Sequence, residues 1–167
     1  MKLGILSDTH SNLTNLHQAL DWLREREIDT ILHCGDLSGV SVVQAMADFD
    51  VWIAEGNVDR GLRLEQVIEE TFGPGRFAWL HRLTLGGYPV ALTHGENEEA
   101  LSNLIGQGEY TYVIHGHTHR RRDERVGRTR VINPGALGGT RKEARSFCVL
   151  DLEADHVRFV QIRSIES

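Results

Sequence analysis

Short apolar runs alternate with helical segments through the first third of the chain, and this alternation constrains the fold most. Leucines recur at helical spacing between residues 13 and 26, and Asn12 precedes them as a predicted helix cap. The predicted order is strand, helix, strand, helix, strand, over residues 3–6, 13–26, 30–34, 41–47 and 51–54. Such an alternation predicts a parallel sheet covered by helices.

The remainder of the chain is richer in strands. We predict helices over residues 61–71 and 98–105, and strands over 77–85, 88–93, 112–115, 121–126, 129–133, 146–152 and 156–162. Gly86-Gly87 and Gly127-Arg128 stand at two hairpin turns. Both parts fit an α/β fold in which a two-layer β-sandwich is flanked by helices, and we expect one domain over 1–167.

Composition argues against several classes of protein. The net charge of −6 argues against general binding to nucleic acid or to an anionic membrane. Cys34 and Cys148 lie in apolar runs without a C-x-x-C spacing, so we interpret both as core residues of a protein in a reducing compartment. The N-terminal apolar run is too short for a signal peptide and no run approaches the length of a membrane span, so we expect a cytoplasmic protein.

Five short polar motifs follow predicted strands. Together they contribute seven candidate metal ligands, which are Asp8, His10, Asp36, Asn57, His94, His117 and His119. Ligands in open α/β sheets bind beyond the carboxyl ends of the strands, so we expect one sheet edge to gather all seven. Taken alone, Asp8 could cap a helix and His10 could be a loop residue, but the five motifs together favour metal binding. Gly35, Gly56, Gly95 and Gly116 neighbour these residues, where tight turns and close backbone approach are expected.

The ligand types indicate the chemistry. Two carboxylates, one amide oxygen and four imidazoles suit Mn²⁺, Fe²⁺, Zn²⁺ or Ni²⁺ better than Ca²⁺. Seven protein ligands are too many for one such ion, so we predict two ions about 4 Å apart that share one bridging carboxylate. A pair of ions at this spacing supports in-line attack of a metal-bridging hydroxide on phosphorus.

Arginines cluster after the last histidine motif, between Arg120 and Arg130. Either this segment is a solvated hairpin whose charges pair with acids such as Asp123 and Glu124, or Arg120 or Arg121 contacts a phosphate or a polyanionic substrate. Arg60 follows the Asn57 motif and is a second candidate for phosphate binding. His33 precedes Cys34 within a strand, and we interpret it as a packed strand residue.

The five motifs closely resemble those of the calcineurin-like metallophosphoesterase superfamily, and the segment Ile132-Asn133-Pro134-Gly135 resembles its small YfcE-type phosphodiesterase group. The resemblance implies an α/β/β/α sandwich and two ions, commonly Mn²⁺, with Ni²⁺, Fe²⁺, Zn²⁺ or Co²⁺ as substitutes. One ion would be held by Asp8, His10 and His119, the other by Asn57, His94 and His117, and Asp36 would bridge them. Relatives form dimers or tetramers, so a homo-oligomer is an open expectation.

The sequence departs from many of these phosphatases at Val58, where they carry a histidine that protonates the leaving group. Asp59 is the candidate replacement, or else a residue that orients Asn57 or His10. We expect Asp36, Asn57, His94 and Asp59 to serve catalysis. The loss of the histidine favours substrates with good leaving groups or slow turnover, and it favours diesters or activated substrates over alkyl monoesters.

Three functions remain at this stage. The first is a phosphodiesterase acting on a small phosphoester substrate, and the second is a phosphomonoesterase acting on a specific metabolite. The third is a non-catalytic protein-binding scaffold of the same fold. The complete set of seven ligands favours an enzyme over a scaffold.

Overall fold

Two β-sheets form the centre of the structure, a computed structural model that describes residues 1–163 apart from the side chain of Leu62. The helices are α1 (Leu13–Arg24), α2 (Val40–Ala45), α3 (Leu62–Phe72) and α4 (Glu98–Gln107). The first six strands are β1 (Lys2–Leu6), β2 (Thr30–His33), β3 (Asp50–Ala54), β4 (Phe77–Ala78), β5 (Leu80–Leu85) and β6 (Tyr88–Thr93). The remaining strands are β7 (Tyr112–Ile114), β8 (Arg121–Val126), β9 (Thr129–Pro134), β10 (Ser146–Asp151) and β11 (His156–Gln161).

The first sheet has the strand order β11-β10-β1-β2-β3-β4 and the second has β5-β6-β7-β9-β8. In the first sheet β1, β2, β3 and β4 are parallel, which confirms the parallel arrangement predicted for the first third of the chain. The strands β10 and β11 extend that sheet as an antiparallel pair. In the second sheet β6, β7 and β9 are parallel, with β5 and β8 antiparallel at its two edges.

The faces of the sheets are covered in four layers. Leu3 and Ile5 of β1 point between the sheets and pack with Val90 and Ile114 of the second sheet. Leu6 lies in the core between the first sheet and helices α1 to α3. Helix α4 packs on the other face of the second sheet. This arrangement confirms the predicted two-layer sandwich flanked by helices.

Helix α1 illustrates how the sequence specifies its local structure. Its buried residues recur at helical spacing and are Leu16, Ala19, Leu20 and Leu23. The Asn12 side chain accepts a hydrogen bond from the Asn15 N–H at 3.0 Å, which confirms the predicted N-cap.

Cys34 and Cys148 are buried free thiols, as expected for core residues. Within residues 1–163, the structure has no helix of the length and apolarity that membrane crossing requires.

One predicted strand, over residues 77–85, is in fact two strands. Phe77 in β4 pairs with Ile53 in the first sheet, whereas Leu80 in β5 pairs with Thr93 in the second. The chain changes sheets at Trp79, whose carbonyl accepts a hydrogen bond from the Thr93 hydroxyl at 3.1 Å. The apolar pattern continues through this point, so it does not reveal where the chain leaves one sheet for the other.

Candidate metal centre

All seven candidate ligands lie at the same end of the sandwich, in the loops after five strands. Those after β1, β2 and β3 belong to the first sheet, and those after β6 and β7 belong to the second. The expectation of a single sheet edge is therefore wrong, because both sheets contribute. Backbone hydrogen bonds join the loops within each sheet, from Asp8 N–H to Gly35 O and from Gly116 N–H to His94 O, both at 2.9 Å.

The backbone of this end is strained. Five of the seven candidate ligands have left-handed backbone conformations, which are Asp8 (φ +50°), His10 (+46°), Asp36 (+58°), His117 (+65°) and His119 (+62°). A non-glycine residue in such a conformation costs about 1–3 kcal/mol, and clusters of such residues are typical of functional sites. The surrounding loops thus hold these side chains in place at a cost in stability.

Two glycines permit close packing around the ligands. A Cβ at Gly56 would lie 2.2 Å from Asp36 Oδ1, and one at Gly116 would lie 1.9 Å from Ser7 Oγ. Neither distance is compatible with a side chain. The close backbone approach expected at these two glycines is therefore present.

One group of ligand atoms consists of Asp8 Oδ1, His10 Nε2 and His119 Nε2. His119 Nε2 lies 3.1 Å from Asp8 Oδ1 and 3.3 Å from His10 Nε2. Asp8 Oδ2 accepts hydrogen bonds from the Ser7 hydroxyl and the His117 N–H. Asp8 Oδ1 is buried and has no hydrogen-bond partner among the described residues. That oxygen is therefore available to a cation.

A second group consists of Asn57 Oδ1, His94 Nε2 and His117 Nδ1. His94 Nε2 lies 3.0 Å from Asn57 Oδ1 and 3.3 Å from His117 Nδ1. His94 Nδ1 donates to the Cys34 carbonyl at 2.7 Å, so Nε2, which faces the group, is the ring atom that can bind a proton or a metal ion.

Asp36 links the two groups. Its Oδ2 lies 3.6 Å from His10 Nε2 and 3.4 Å from His94 Nε2. Its Oδ1 accepts the Val58 N–H at 3.2 Å. A single carboxylate oxygen thus faces ligands of both groups, which is the geometry that a bridging residue requires.

The pKa values of His94 and Asp8 indicate that the two ligand groups favour a bound positive charge. Burial lowers the pKa of His94, but hydrogen bonding to Asp36 and the charge of Asp36 outweigh it and raise the pKa to about 9. Burial raises the pKa of the Asp8 carboxyl, but the His119 ring 3.1 Å from Oδ1 and the hydrogen bond from the Ser7 hydroxyl to Oδ2 hold it below its usual value. Within each group the lone pairs of the ligand atoms face one another, so a proton or a metal ion must lie among those atoms.

The spacing of these atoms fits divalent metals. Bonds of about 2.0–2.2 Å place neighbouring ligands of a tetrahedral or octahedral ion about 2.8–3.6 Å apart. The separations between ligand atoms within the two groups, 3.0 to 3.8 Å, overlap this range. The mixed oxygen and nitrogen donors, without thiolates, suit Mn²⁺, Fe²⁺, Zn²⁺, Co²⁺ and Ni²⁺.

Asp59 does not face the ligand groups. Its carboxylate is 1% exposed and accepts four backbone N–H groups, from Asp36 (2.6 Å), Leu37 (2.8 Å), Ser38 (3.1 Å) and Gly56 (3.1 Å). Burial raises the pKa of Asp59 and these donors oppose the rise. Because its lone pairs meet N–H groups, the ionised form fits the site. This placement corrects the expectation of a proton donor and favours the alternative of a positioning residue.

His33 has a similar role in joining loops. It is fully buried, as the sequence predicted for a packed strand residue. Its Nε2 contacts the Thr9 hydroxyl at 2.8 Å, and its Nδ1 accepts the Gly35 N–H at 3.1 Å. Burial lowers the pKa of His33 to about 4, so the ring is neutral. The ring therefore ties the loop of Asp8 to the loop of Asp36.

A cleft of about 620 Å³ opens onto the ligand groups. Its lining residues are His10, Asn12, Asp36, Asn57, Val58, His117, His119, Gly139, Thr140 and Arg141. Arg60 is exposed outside this lining, and Arg120 pairs with Glu143 at 3.4 Å. Both arginines were predicted to bind phosphate, but among the described residues the arginine that lines the cleft is Arg141.

Comparison with known proteins identifies the family. The model of the calcineurin-like phosphoesterase superfamily domain matches residues 1–155. Phosphodiesterase MJ0936 of Methanocaldococcus jannaschii is 30% identical, over 95% of this chain and 97% of its own length. The probable metallophosphoesterase YsnB of Bacillus subtilis is 27% identical, over 93% of this chain and 86% of its own length.

Solved structures agree. A structurally and functionally characterised archaeal phosphodiesterase has a TM-score of 0.90 and 30% identity, over 97% of this chain and 100% of that chain. The E. coli phosphoesterase YfcE (TM-score 0.68) and an Entamoeba histolytica Vps29 mutant (0.70) share the fold at 19% identity, each over 98% of this chain and 100% of its own. The chain therefore belongs to the calcineurin-like phosphoesterase superfamily, as its motifs predicted, and is a phosphoric ester hydrolase.

Proposed function

We propose that the protein is a phosphodiesterase that works with two divalent metal ions, Mn²⁺ being the first choice. The observation that carries this proposal is the pair of ligand groups that share Asp36 Oδ2. The relative from Methanocaldococcus jannaschii, which is named a phosphodiesterase, supports the choice of a diester.

Each of the two ligand groups described above would hold one ion. Asp8, His10 and His119 would hold one ion, Asn57, His94 and His117 would hold the other, and Asp36 would contact both. When bound, the two ions would neutralise phosphoryl charge and supply an activated water nucleophile for in-line displacement.

The remaining groups position these ligands. Asp59 fixes the loops that carry Asp36 and Asn57, and the Cys34 carbonyl fixes the tautomer of His94. We infer that the exposed guanidinium of Arg141 attracts the phosphate group into the cleft.

Neither Val58 nor Asp59 can donate a proton to the leaving group. Val58 lines the cleft with a side chain that is 46% exposed, and Asp59 is engaged by backbone N–H groups. Solvent then protonates the departing oxygen, so esters with stable leaving groups react faster than alkyl esters. Val58→His should therefore raise turnover of monoesters, and an unchanged rate would argue against this account of leaving-group specificity.

Hydrolysis of bis-p-nitrophenyl phosphate and p-nitrophenyl phosphate by metal-stripped protein, before and after Mn²⁺ is added, tests the proposal. We expect Mn²⁺-dependent diester turnover and two bound ions per chain by elemental analysis. Asp36→Asn should lower the diester rate by more than about 100-fold. Asp48→Asn, which changes an aspartate that is 85% exposed, is the matched control and should not alter it.

Other results would select another function. Faster hydrolysis of the monoester by the wild-type protein would favour the phosphomonoesterase. Folded protein that binds two ions and hydrolyses neither ester would favour a protein-binding scaffold.

A further inference from the structure

A second cleft, of about 430 Å³, lies beside the metal cleft. Its lining residues are His115, Thr118, Arg120, Arg121, Arg122 and Arg141. Arg141 lines both clefts, so the two adjoin. Thr118 and Arg120 are the immediate chain neighbours of His119, which places them about 4 Å along the backbone from a candidate metal ligand.

The second cleft is strongly basic. Two of its four arginines face carboxylates, Arg120 with Glu143 at 3.4 Å and Arg122 with Glu124 at 2.7 Å. The Arg120 side chain is 78% exposed, and exposed ion pairs of this kind are weak enough to open for a competing anion.

The other two arginines contact neutral groups. Arg121 donates to the Ser146 hydroxyl at 2.9 Å, and its guanidinium lies 5.7 Å from the centre of the Phe159 ring. Arg141 donates to the Thr118 carbonyl at 2.9 Å. Four positive charges thus face two carboxylates, and the cleft carries a net positive charge.

Guanidinium groups match the oxygen geometry of phosphate and remain charged at all accessible pH values. The lining residues of this cleft include no Phe, Tyr or Trp, and the ring of His115 is buried, so the cleft presents guanidinium groups and not an exposed aromatic face. A compact, highly charged anion fits these features better than a nucleobase or an apolar group.

We propose that the second cleft binds an additional phosphate group of the substrate, so that the preferred substrate is a phosphodiester carrying a further phosphate close to the scissile one. This inference rests on the proposed phosphodiesterase function. The shared Arg141 and the position of Thr118 and Arg120 beside His119 place the additional phosphate next to the reacting one.

Calorimetric titration of the Mn²⁺-loaded protein tests this inference without turnover. The ligands are thymidine 3′,5′-bisphosphate, thymidine 3′-phosphate and thymidine 5′-phosphate, so that the second phosphate is the variable. We expect the bisphosphate to bind at least about tenfold more tightly than the better of the two monophosphates. Equal affinities would overturn the inference.

Variants of the cleft arginines test whether the tighter binding of the bisphosphate depends on the second cleft. Arg120→Gln and Arg122→Gln should each bring the affinity ratio towards one. Arg128→Gln is the matched control, because Arg128 lies at the turn between β8 and β9, about 20 Å along the strand from Arg122, and it should keep the wild-type ratio. A ratio that survives both cleft variants would contradict the inference.

Failure of the proposed function gives a different result. In that case Mn²⁺-loaded protein would not hydrolyse bis-p-nitrophenyl phosphate, whatever the affinity ratio. Diester turnover with no preference for the bisphosphate would retain the phosphodiesterase and discard the second phosphate site.

Discussion

Substitution of Asp59 by asparagine separates a positioning role from an acid role at this site. Asp59 Oδ1 accepts the N–H groups of Leu37 and Ser38, and Oδ2 accepts those of Asp36 and Gly56. Asparagine keeps one carbonyl oxygen, and its NH₂ group turns towards two backbone donors. Two hydrogen bonds to an ionised acceptor are lost, and their donors stay buried.

The size of the effect follows from those contacts. A hydrogen bond to a charged group contributes about 1.5–3 kcal/mol, so the loss of two lowers the free energy of unfolding by about 3–6 kcal/mol. The donors belong to the loops that hold Asp36 and Asn57, so we expect weaker metal binding as well. Asp48→Asn, at a position 85% exposed, should change the unfolding free energy by less than about 0.5 kcal/mol.

Urea unfolding followed by tryptophan fluorescence measures the stability, and elemental analysis after dialysis measures the bound metal. An acid role makes the opposite prediction. Asp59→Asn would then keep its stability and its metal, lose turnover on alkyl esters, and lose the high-pH limb of the rate profile. That combination would refute the positioning role.

Three further perturbations test the structure. Gly116→Ala should lower the free energy of unfolding by about 1–3 kcal/mol and lower the metal content, because the added Cβ would lie 1.9 Å from Ser7 Oγ. Its control is Gly106→Ala on α4, where a Cβ meets open space and should raise the free energy of unfolding by about 0.5–1 kcal/mol. Asn12→Ala and Asn97→Ala each remove a helix cap, and each should lower the free energy of unfolding in urea by about 1 kcal/mol. Of the two residues Asn12 alone lines the cleft, so Asn12→Ala should raise KM and Asn97→Ala should not. Burial lowers the pKa of His81 below 6.5, so the unfolded state binds more protons and stability should fall as pH drops through 6.5. His81→Gln should reduce the slope of this dependence, to which the buried His33 also contributes, and parallel curves for the variant and the wild type would contradict the prediction.

Much of the fold follows from local pattern. The buried positions of α1 recur at helical spacing, and the Asn12 cap is a local hydrogen bond, so both were predictable without tertiary information. The candidate ligands were also identifiable, since their residue types and their places after strands are properties of short segments.

The assembly of these segments depended on tertiary structure. Alternation of apolar residues does not say to which sheet a strand belongs, so the change of sheet at Trp79 was missed. For the same reason the ligands of β6 and β7 were assigned to the wrong sheet edge.

The roles of individual polar side chains also depended on tertiary structure. Asp59 accepts N–H groups from a loop more than 20 residues away, and Arg141 reaches the cleft from a loop that carries no ligand. The sequence by itself determined which residues could bind metal and which segments form helices and strands, because both are short-range properties. Only the folded chain decided which sheet carries each candidate ligand, which carboxylate is engaged by the backbone and which arginine faces the cleft, because those depend on contacts between segments distant in sequence.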